Sequence, residues 1–270
     1  RYTASGNLGY QQGRSTLFLS YGFNTDRRSM EGINDRTRLG ALRSPLSFTE
    51  QDIRGSNGNF GHNFSASLDY RLSRRDVLTN ALLVNVRGAS DESLSAYEEL
   101  DATRTLLDAY ERIRDADNDT TMVDYTLAFR RTLQPQKHEL SAEVRLNRME
   151  DEARTALWRQ PLGTVGIAAA GLLDREIDET SALSRQLTAQ ADYTRTLSER
   201  TKLETGYKGT GRWLDRDFTV LEDALGTGSW TESDRSNALE FDETVNAVYG
   251  VLSHGAGRFE LQGGLRAEYA

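Results

Sequence analysis

From Phe241 to Glu268 apolar residues return at every second position, interrupted once by a glycine-rich break. Val245, Ala247, Tyr249 and Val251 alternate with Thr244, Asn246, Val248 and Gly250. Beyond His254-Gly255-Ala256-Gly257, Phe259, Leu261, Gly263, Leu265 and Ala267 alternate with Glu260, Gln262, Gly264, Arg266 and Glu268. A period of two predicts β-strands with unlike faces, and two such runs around a short glycine turn predict an antiparallel hairpin. The predicted apolar face carries the Val245 and Phe259 sets.

Four earlier hairpins follow the same rule. Tyr2, Ala4, Gly6, Leu8 and Tyr10 lead into Gln11-Gln12-Gly13, and Leu17, Leu19, Tyr21 and Phe23 return. Phe64, Ala66, Leu68, Tyr70 and Leu72 lead to Ser73-Arg74-Arg75-Asp76, and Leu78, Leu82, Val84 and Val86 return, with Asn80 as the misfit. Val123, Tyr125, Leu127 and Phe129 precede Gln134-Pro135-Gln136-Lys137, followed by Leu140, Ala142, Val144 and Leu146. Leu187, Ala189, Ala191 and Tyr193 precede Ser198-Glu199-Arg200, followed by Leu203, Thr205 and Tyr207. The turns recur about every 60 residues, the length of a strand pair plus a long connection.

Those connections read as surface loops. One spans about Asn24 to Gly58 and holds Pro45 with Arg27, Arg28, Arg36, Arg38 and Arg43; another spans about Arg87 to Thr121. In the second, Leu94, Tyr97, Leu100, Leu106, Tyr110 and Ile113 fall near helical spacing, which allows a short helix there, against strands that continue past the apolar band. Several structureless loops of such length do not suit a compact soluble domain. Short turns at one end and long loops at the other do suit an outer-membrane barrel.

The words ETVNAVYGVLS and FELQGGLRAEYA sharpen this. With Gly264, Leu265, Arg266, Ala267 and Glu268 closing the hairpin, the segment resembles the barrel of the TonB-dependent outer-membrane receptors. The resemblance implies a 22-stranded barrel of which this chain is somewhat less than half. It further implies an upstream plug domain filling the lumen, a periplasmic energy-coupling protein that pulls on the plug, and an extracellular ligand that enters through the loops. The fold expected is therefore all-β: an antiparallel transmembrane β-barrel segment of about ten strands in five up-down hairpins, residues 1–270, without the plug.

Composition agrees. Hydrophobic residues are 37% of the chain and mean hydropathy is -0.63, low for a globular core but sufficient for a barrel with one apolar face and a wet interior. A net charge of -8 argues against broad attraction to nucleic acid. The absence of cysteine excludes disulfides and thiolate metal sites. No apolar run is long enough for a membrane helix; the longest, Val165 to Leu173, is short and interrupted by glycine. Arg1-Tyr2-Thr3 begins inside a strand pattern without a signal peptide, so the chain reads as a fragment or mature segment.

Tyr10, Tyr70, Phe129, Tyr193 and Tyr249 each precede a short turn and predict an aromatic girdle at one membrane boundary. The prolines, Pro45, Pro135 and Pro161, are expected outside the strands. Asp69, Arg71, Asp124, Arg130, Glu139, Glu143, Arg145, Asp192, Glu204 and Lys208 must face away from lipid, where Arg or Lys at mid-depth costs about 2–4 kcal/mol.

Candidate chemistry is sparse. Asp115-Ala116-Asp117-Asn118-Asp119 opens like a calcium loop, but Thr120 replaces the glycine and Thr126 the closing glutamate, so an EF-hand fails and only a looser site or a solvated acidic loop remains. His62, His138 and His254 are too scattered for a metal site. Gly226-Thr227-Gly228 and the glycines from Gly206 to Gly211 open no helix, so they make no phosphate loop. No catalytic grouping, cofactor or metal is expected, and the chain does not read as an enzyme.

Trp158, Trp213 and Trp230, placed by the pattern in or beside long loops, are the candidate ligand contacts. The arginine-rich first loop could meet lipopolysaccharide phosphates through bidentate pairing. The function expected is the barrel portion of an outer-membrane receptor taking up a siderophore, carbohydrate or similar ligand. The alternatives are an uncoupled assembly or lipopolysaccharide-insertion barrel and a soluble extracellular β-sandwich or adhesin module.

Overall fold

The computed structural model describes residues 1–135, 137–162 and 174–270, in which there is no helix. Gln136 of the third turn and the apolar run Val165 to Leu173 lie outside the described residues. One antiparallel sheet holds β1 (Tyr2–Gln12), β2 (Ser15–Leu39), β3 (Pro45–Arg71), β4 (Asp76–Asp101), β5 (Leu106–Gln134), β6 (His138–Pro161), β7 (Asp174–Ser198), β8 (Thr201–Asp223), β9 (Thr231–Glu232), β10 (Asn237–Ala256) and β11 (Phe259–Tyr269). Each long strand pairs with its neighbours in sequence, and the two-residue β9 extends the edge of β8. The ten long strands form the five hairpins that the alternation predicts. Among the described residues β1 pairs only with β2 and β11 only with β10, so the sheet stays open.

Two of the short turns need a backbone that glycine adopts without strain: Gly13 has φ 54° and Gly257 φ 66°, the left-handed region. Successive hairpins then step in one direction. Ser15 faces Tyr70, one residue before β3 ends at Arg71. Asp76 faces Arg131, three before β5 ends at Gln134. His138 faces Arg195, three before β7 ends at Ser198, and Thr201 faces His254, two before β10 ends at Ala256. A stagger of constant sense is what the tilted wall of a barrel requires.

Residues opposite one another share a face, so the register sorts the chain. One row runs Leu17, Leu68, Asn80, Leu127, Val144, Ala189, Gly209, Asn246 and Tyr269; the next runs Thr16, Asp69, Thr79, Ala128, Glu143, Gln190, Lys208, Ala247 and Glu268. The first belongs to an apolar belt and the second to a polar face. The belt has no covering layer: Leu68, Leu127 and Leu187 each keep 37% of their surface. A β-sandwich, which would clasp such rows together, is not what these residues build.

Three expectations change. The segments read as long loops are strands: β2 and β3 continue to a turn at residues 40–44, and β4 and β5 to one at residues 102–105, with no helix between. Pro45 and Pro161 are not outside the strands but are the first residue of β3 and the last of β6, ends at which a missing N–H is tolerated.

The third change concerns β10. Tyr249 faces Gly206 and Arg266, and Val251 faces Glu204 and Gly264. The Val245, Ala247, Tyr249 and Val251 set therefore lies on the polar face, and Val248 and Leu252 occupy the belt. The hairpin closes through Gly257-Arg258, which sets Ala256 opposite Phe259 instead of breaking at His254. Because β10 is apolar on both sides, its own alternation could not decide. Tyr10, Tyr70, Phe129 and Tyr193 share the belt face as expected; Tyr249 does not.

Candidate functional site

The belt is about one membrane thick. On β5 it runs from Val123 through Tyr125 and Leu127 to Phe129, seven residues or about 23 Å, close to the apolar band of about 25 Å on outer-membrane barrels. Its border toward the long hairpins carries a ring cluster that the sequence reading did not assemble, although it had set Tyr21 and Phe23 on the apolar face. Phe23 and Phe60 pack on His62 with centroids 4.9 and 5.9 Å away, and Tyr21 shares a 2.8 Å hydrogen bond with His62 Nδ1. The signal was present: all four sit on one strand face once Phe23 is set opposite His62.

Elsewhere aromatic rings cover the glycines that would otherwise leave gaps. A Cβ on Gly211 would meet the Trp213 ring at 2.6 Å, and one on Gly209 would meet the Tyr207 hydroxyl at 2.6 Å. That hydroxyl donates to Asn246 Oδ1 at 2.7 Å.

All ten predicted lumen charges fall on the polar face, where many find partners. Arg145 pairs with Asp124 at 2.8 Å, and Asn147 donates to the same carboxylate at 3.0 Å. Thr79 donates to Asp69 at 2.6 Å, and Lys202 pairs with Glu204 at 2.6 Å. Asp192 accepts from Gln190 at 2.8 Å and from the Tyr249 hydroxyl. Tyr249 reaches it because Gly206, lacking a Cβ, leaves room for the ring.

Beyond the belt, the turn at residues 102–105 sets Tyr97 opposite Tyr110. Their rings stack at 4.8 Å with 15° between planes. The Arg159 guanidinium lies 4.2 Å from the Tyr110 centroid, a cation–π contact, and pairs with Asp108 at 3.1 Å. Gln51 Nε2 donates to the Tyr97 hydroxyl at 2.8 Å. Burial, and next the Glu99 carboxylate, push the Tyr110 phenol above its ordinary pKa, so it stays a neutral donor.

Beside this stack lies a recess of about 340 Å³ lined by Ser93, Ser95, Tyr97, Arg112, Arg159 and Asp174, among others. Arg112 stands opposite Arg159, an arrangement that is unfavourable between like charges. Neither Arg112 nor Asp174 has an ion-pair partner among the described residues. Glu176, on the same rim, is held by Arg235 at 2.5 Å, which also grips Glu222 at 2.7 Å. Hydrogen bonding to Arg235 lowers the Glu222 pKa. Asp178 is pushed up, first by burial and then by Glu176, and its Oδ1 is buried without a partner among the described residues. The recess thus offers a flat aromatic wall, an unpaired cation, an unpaired carboxylate and two serine hydroxyls.

The three tryptophans do not converge. Trp158 borders the recess but shares a row with Ile113 and Leu94 on the belt-side face, Trp213 lies over Gly211 on the belt side of β8, and Trp230 immediately precedes β9. The tyrosine pair was not foreseen; Tyr97 and Tyr110 are symmetric about the turn, a relation visible only once that turn is located. Asp115 to Asp119 lie within β5, where alternation parts Asn118 from Asp117 and Asp119, and no group of three metal-ligating side chains forms among the described residues. Of the five arginines, Arg27 faces the belt side, Arg28, Arg36 and Arg38 the polar side, and Arg43 sits in the turn. His62, His138 and His254 lie on three different strands.

The profile of the outer membrane protein beta-barrel family matches residues 131–270, which takes in β6 to β11 with the end of β5. No curated protein and no solved structure matches the chain. The matched half carries the same belt, polar face and staggered register as the first half, so the chain belongs to the outer membrane protein beta-barrel family and its place is the bacterial outer membrane.

Proposed function

We propose that the chain is the barrel portion of a TonB-dependent receptor that takes up an extracellular ligand. The observation that carries this reading is the recess at the long-hairpin end of the polar face, with stacked Tyr97 and Tyr110 beside Arg112 and Asp174, which have no ion-pair partner among the described residues. Such hairpins face outward from the cell in outer-membrane barrels, so the recess stands where an arriving ligand would meet it. The closing hairpin, with its Gly264 to Glu268 sequence, supports the same family resemblance. Trp158, Trp213 and Trp230 remain the tryptophan contacts on this reading, with Trp158 nearest the recess along β6 though on the other face of the strand.

The unpaired outer edges of β1 and β11 suit a larger barrel, in which further strands would close the wall. A plug domain would fill the lumen against the polar face, and a periplasmic energy-coupling protein would act on that plug. Lipid would meet the belt, and lipopolysaccharide the aromatic border above it. The reading assigns the chain no catalytic step.

The test needs no ligand. The full-length protein in planar bilayers should show no steady conductance, because the plug blocks it, and should capture the purified periplasmic domain of the coupling protein. A steady open channel that captures nothing would replace this reading with a passive or assembly barrel.

A further inference from the structure

Between the recess and the belt, the polar face is paved with amides. Asn24, Asn57, Asn59 and Asn63 on β2 and β3, Asn85 on β4 and Asn118 on β5 occupy neighbouring rows. Asparagine is depleted in strands, so six on one face within four adjacent strands call for a reason beyond solubility, which serine or threonine would serve. Asn85 is bonded to Asn63 and Asn118 accepts from Thr120 at 3.2 Å. The amides of Asn24, Asn57 and Asn59 make no side-chain hydrogen bond among the described residues.

Two adjoining recesses share this floor. One of about 520 Å³ includes Asn24, Asn59, Asn63 and Asn118. The other, about 460 Å³, adds Asn57 and shares Asn59, Ala89 and Asn118. Both lie in the size range of small-molecule sites. Small residues, Ala89 and Ala153, separate these side chains, while Gly61 lets the Asn24 amide lie close against the sheet.

Cations and carboxylates on this floor are equal in number. Arg28 pairs with Asp26 at 2.6 Å and Arg114 with Asp91, while Arg87 makes no ion pair among the described residues and shares its row with Asp151 across Thr120. The first row of free amides, at Asn57, is six residues along β3 from Gln51, which bonds Tyr97, or about 20 Å.

We propose that this floor binds a neutral, polyhydroxylated chain, an oligosaccharide, which the tyrosine stack receives first and the asparagines then pass along the wall. Each amide presents a donor and an acceptor side by side, matching vicinal hydroxyls that are themselves both. An anionic ligand would favour a surplus of cations, and the three arginines of this floor are matched in number by Asp26, Asp91 and Asp151. The proposal rests on the receptor reading for the direction of travel, and on the floor itself for the chemistry.

The experiment is calorimetric titration of the full-length protein in lipid nanodiscs with cellohexaose, maltohexaose and xylohexaose, against hexagalacturonate and ferric citrate. At least one neutral hexaose should bind, and Asn57→Ala and Asn59→Ala should each weaken it by roughly 3- to 10-fold, the loss of one or two net hydrogen bonds. Because these two amides make no internal bond, the variants should fold, and Asn59→Asp, which keeps the size but loses the donors, gives a second reading if Asn59→Ala does not.

Preference for an anionic ligand, no binding of any neutral hexaose, or neutral binding that ignores every asparagine substitution would each overturn the proposal. Capture of the coupling protein without saccharide binding would leave the receptor reading standing. Saccharide binding without capture would keep the floor and discard the coupling.

Discussion

Leu127 and Ala128 are consecutive on β5 and face opposite ways. Leu127 sits in the belt between Asn80 and Val144, with 37% of its surface exposed. Ala128 lies on the polar face opposite Thr79 and Glu143. Arginine at 127 would place a guanidinium near mid-bilayer, at a cost of about 2–4 kcal/mol. That corresponds to a factor of roughly 30 to 1000 in the folding equilibrium. Arginine at 128 would instead stand beside the Glu143 carboxylate in water, where an opposite-charge cross-strand pair is worth about 0.2–1 kcal/mol in the stabilising direction. Reversible denaturant unfolding of the full-length protein in phospholipid vesicles measures both. Leu127→Arg should lose nearly the full range and Ala128→Arg should be neutral or slightly stabilised. Equal losses, or a larger loss at 128, would refute the assignment of faces on which the functional argument stands.

Other substitutions probe particular contacts. A Cβ on Gly206 would come within 2.6 Å of Asp192 Oδ1 and the Tyr249 ring, whereas one on Gly250 would meet nothing nearer than 3.9 Å. Gly206→Ala should therefore destabilise by about 1–3 kcal/mol, as overpacking does, and Gly250→Ala should stay within about 0.5 kcal/mol of the parent, both by the same unfolding assay. At the short-turn end, hydrogen bonding to Arg131, then to Ser73, lowers the Asp76 pKa from 3.8 to about 2. A depressed carboxyl stabilises fully above its unfolded pKa and loses that contribution as pH falls through the folded one. Acid unfolding of the parent between pH 4 and 2 should thus show a loss that Asp76→Asn lacks; identical pH profiles would rule the pair out as a stabiliser. Tyr110→Phe removes the hydroxyl that reaches Glu99 at 3.4 Å but keeps the stack, so it should bind like the parent in the saccharide titration, while Tyr110→Ala should bind at least several-fold more weakly.

What the sequence revealed depended on where water lies. Within the belt one face meets lipid and the other does not, so polarity must alternate, and all five hairpins and their short turns were legible. Beyond Asp26 on β2 or Arg87 on β4 both faces are wet. Alternation then has no physical cause, and paired strands looked like loops. Strand β10 failed in the opposite way, being apolar on both sides; only the register fixed by Gly257-Arg258 tells Val248 from Tyr249. The recess was hidden for a related reason. Tyr97 and Tyr110 are thirteen positions apart and mimic helical spacing with Leu94 and Leu106, until the turn at residues 102–105 brings them face to face. The asparagine floor gathers residues from four strands, and no local pattern announces a set that pairing alone assembles.

The chain contains no cysteine, so a single thiol introduced into it has no competitor among these 270 residues. Bimane attached in turn at positions 123 to 129 of β5 and 246 to 252 of β10, in the folded full-length protein, can be quenched by nitroxide lipids or by aqueous iodide. Lipid quenching should peak at 123, 125, 127 and 129 and at 246, 248, 250 and 252, with iodide favouring the positions between. Lipid quenching that peaks at 247, 249 and 251, or that shows no alternation on either strand, would contradict the account.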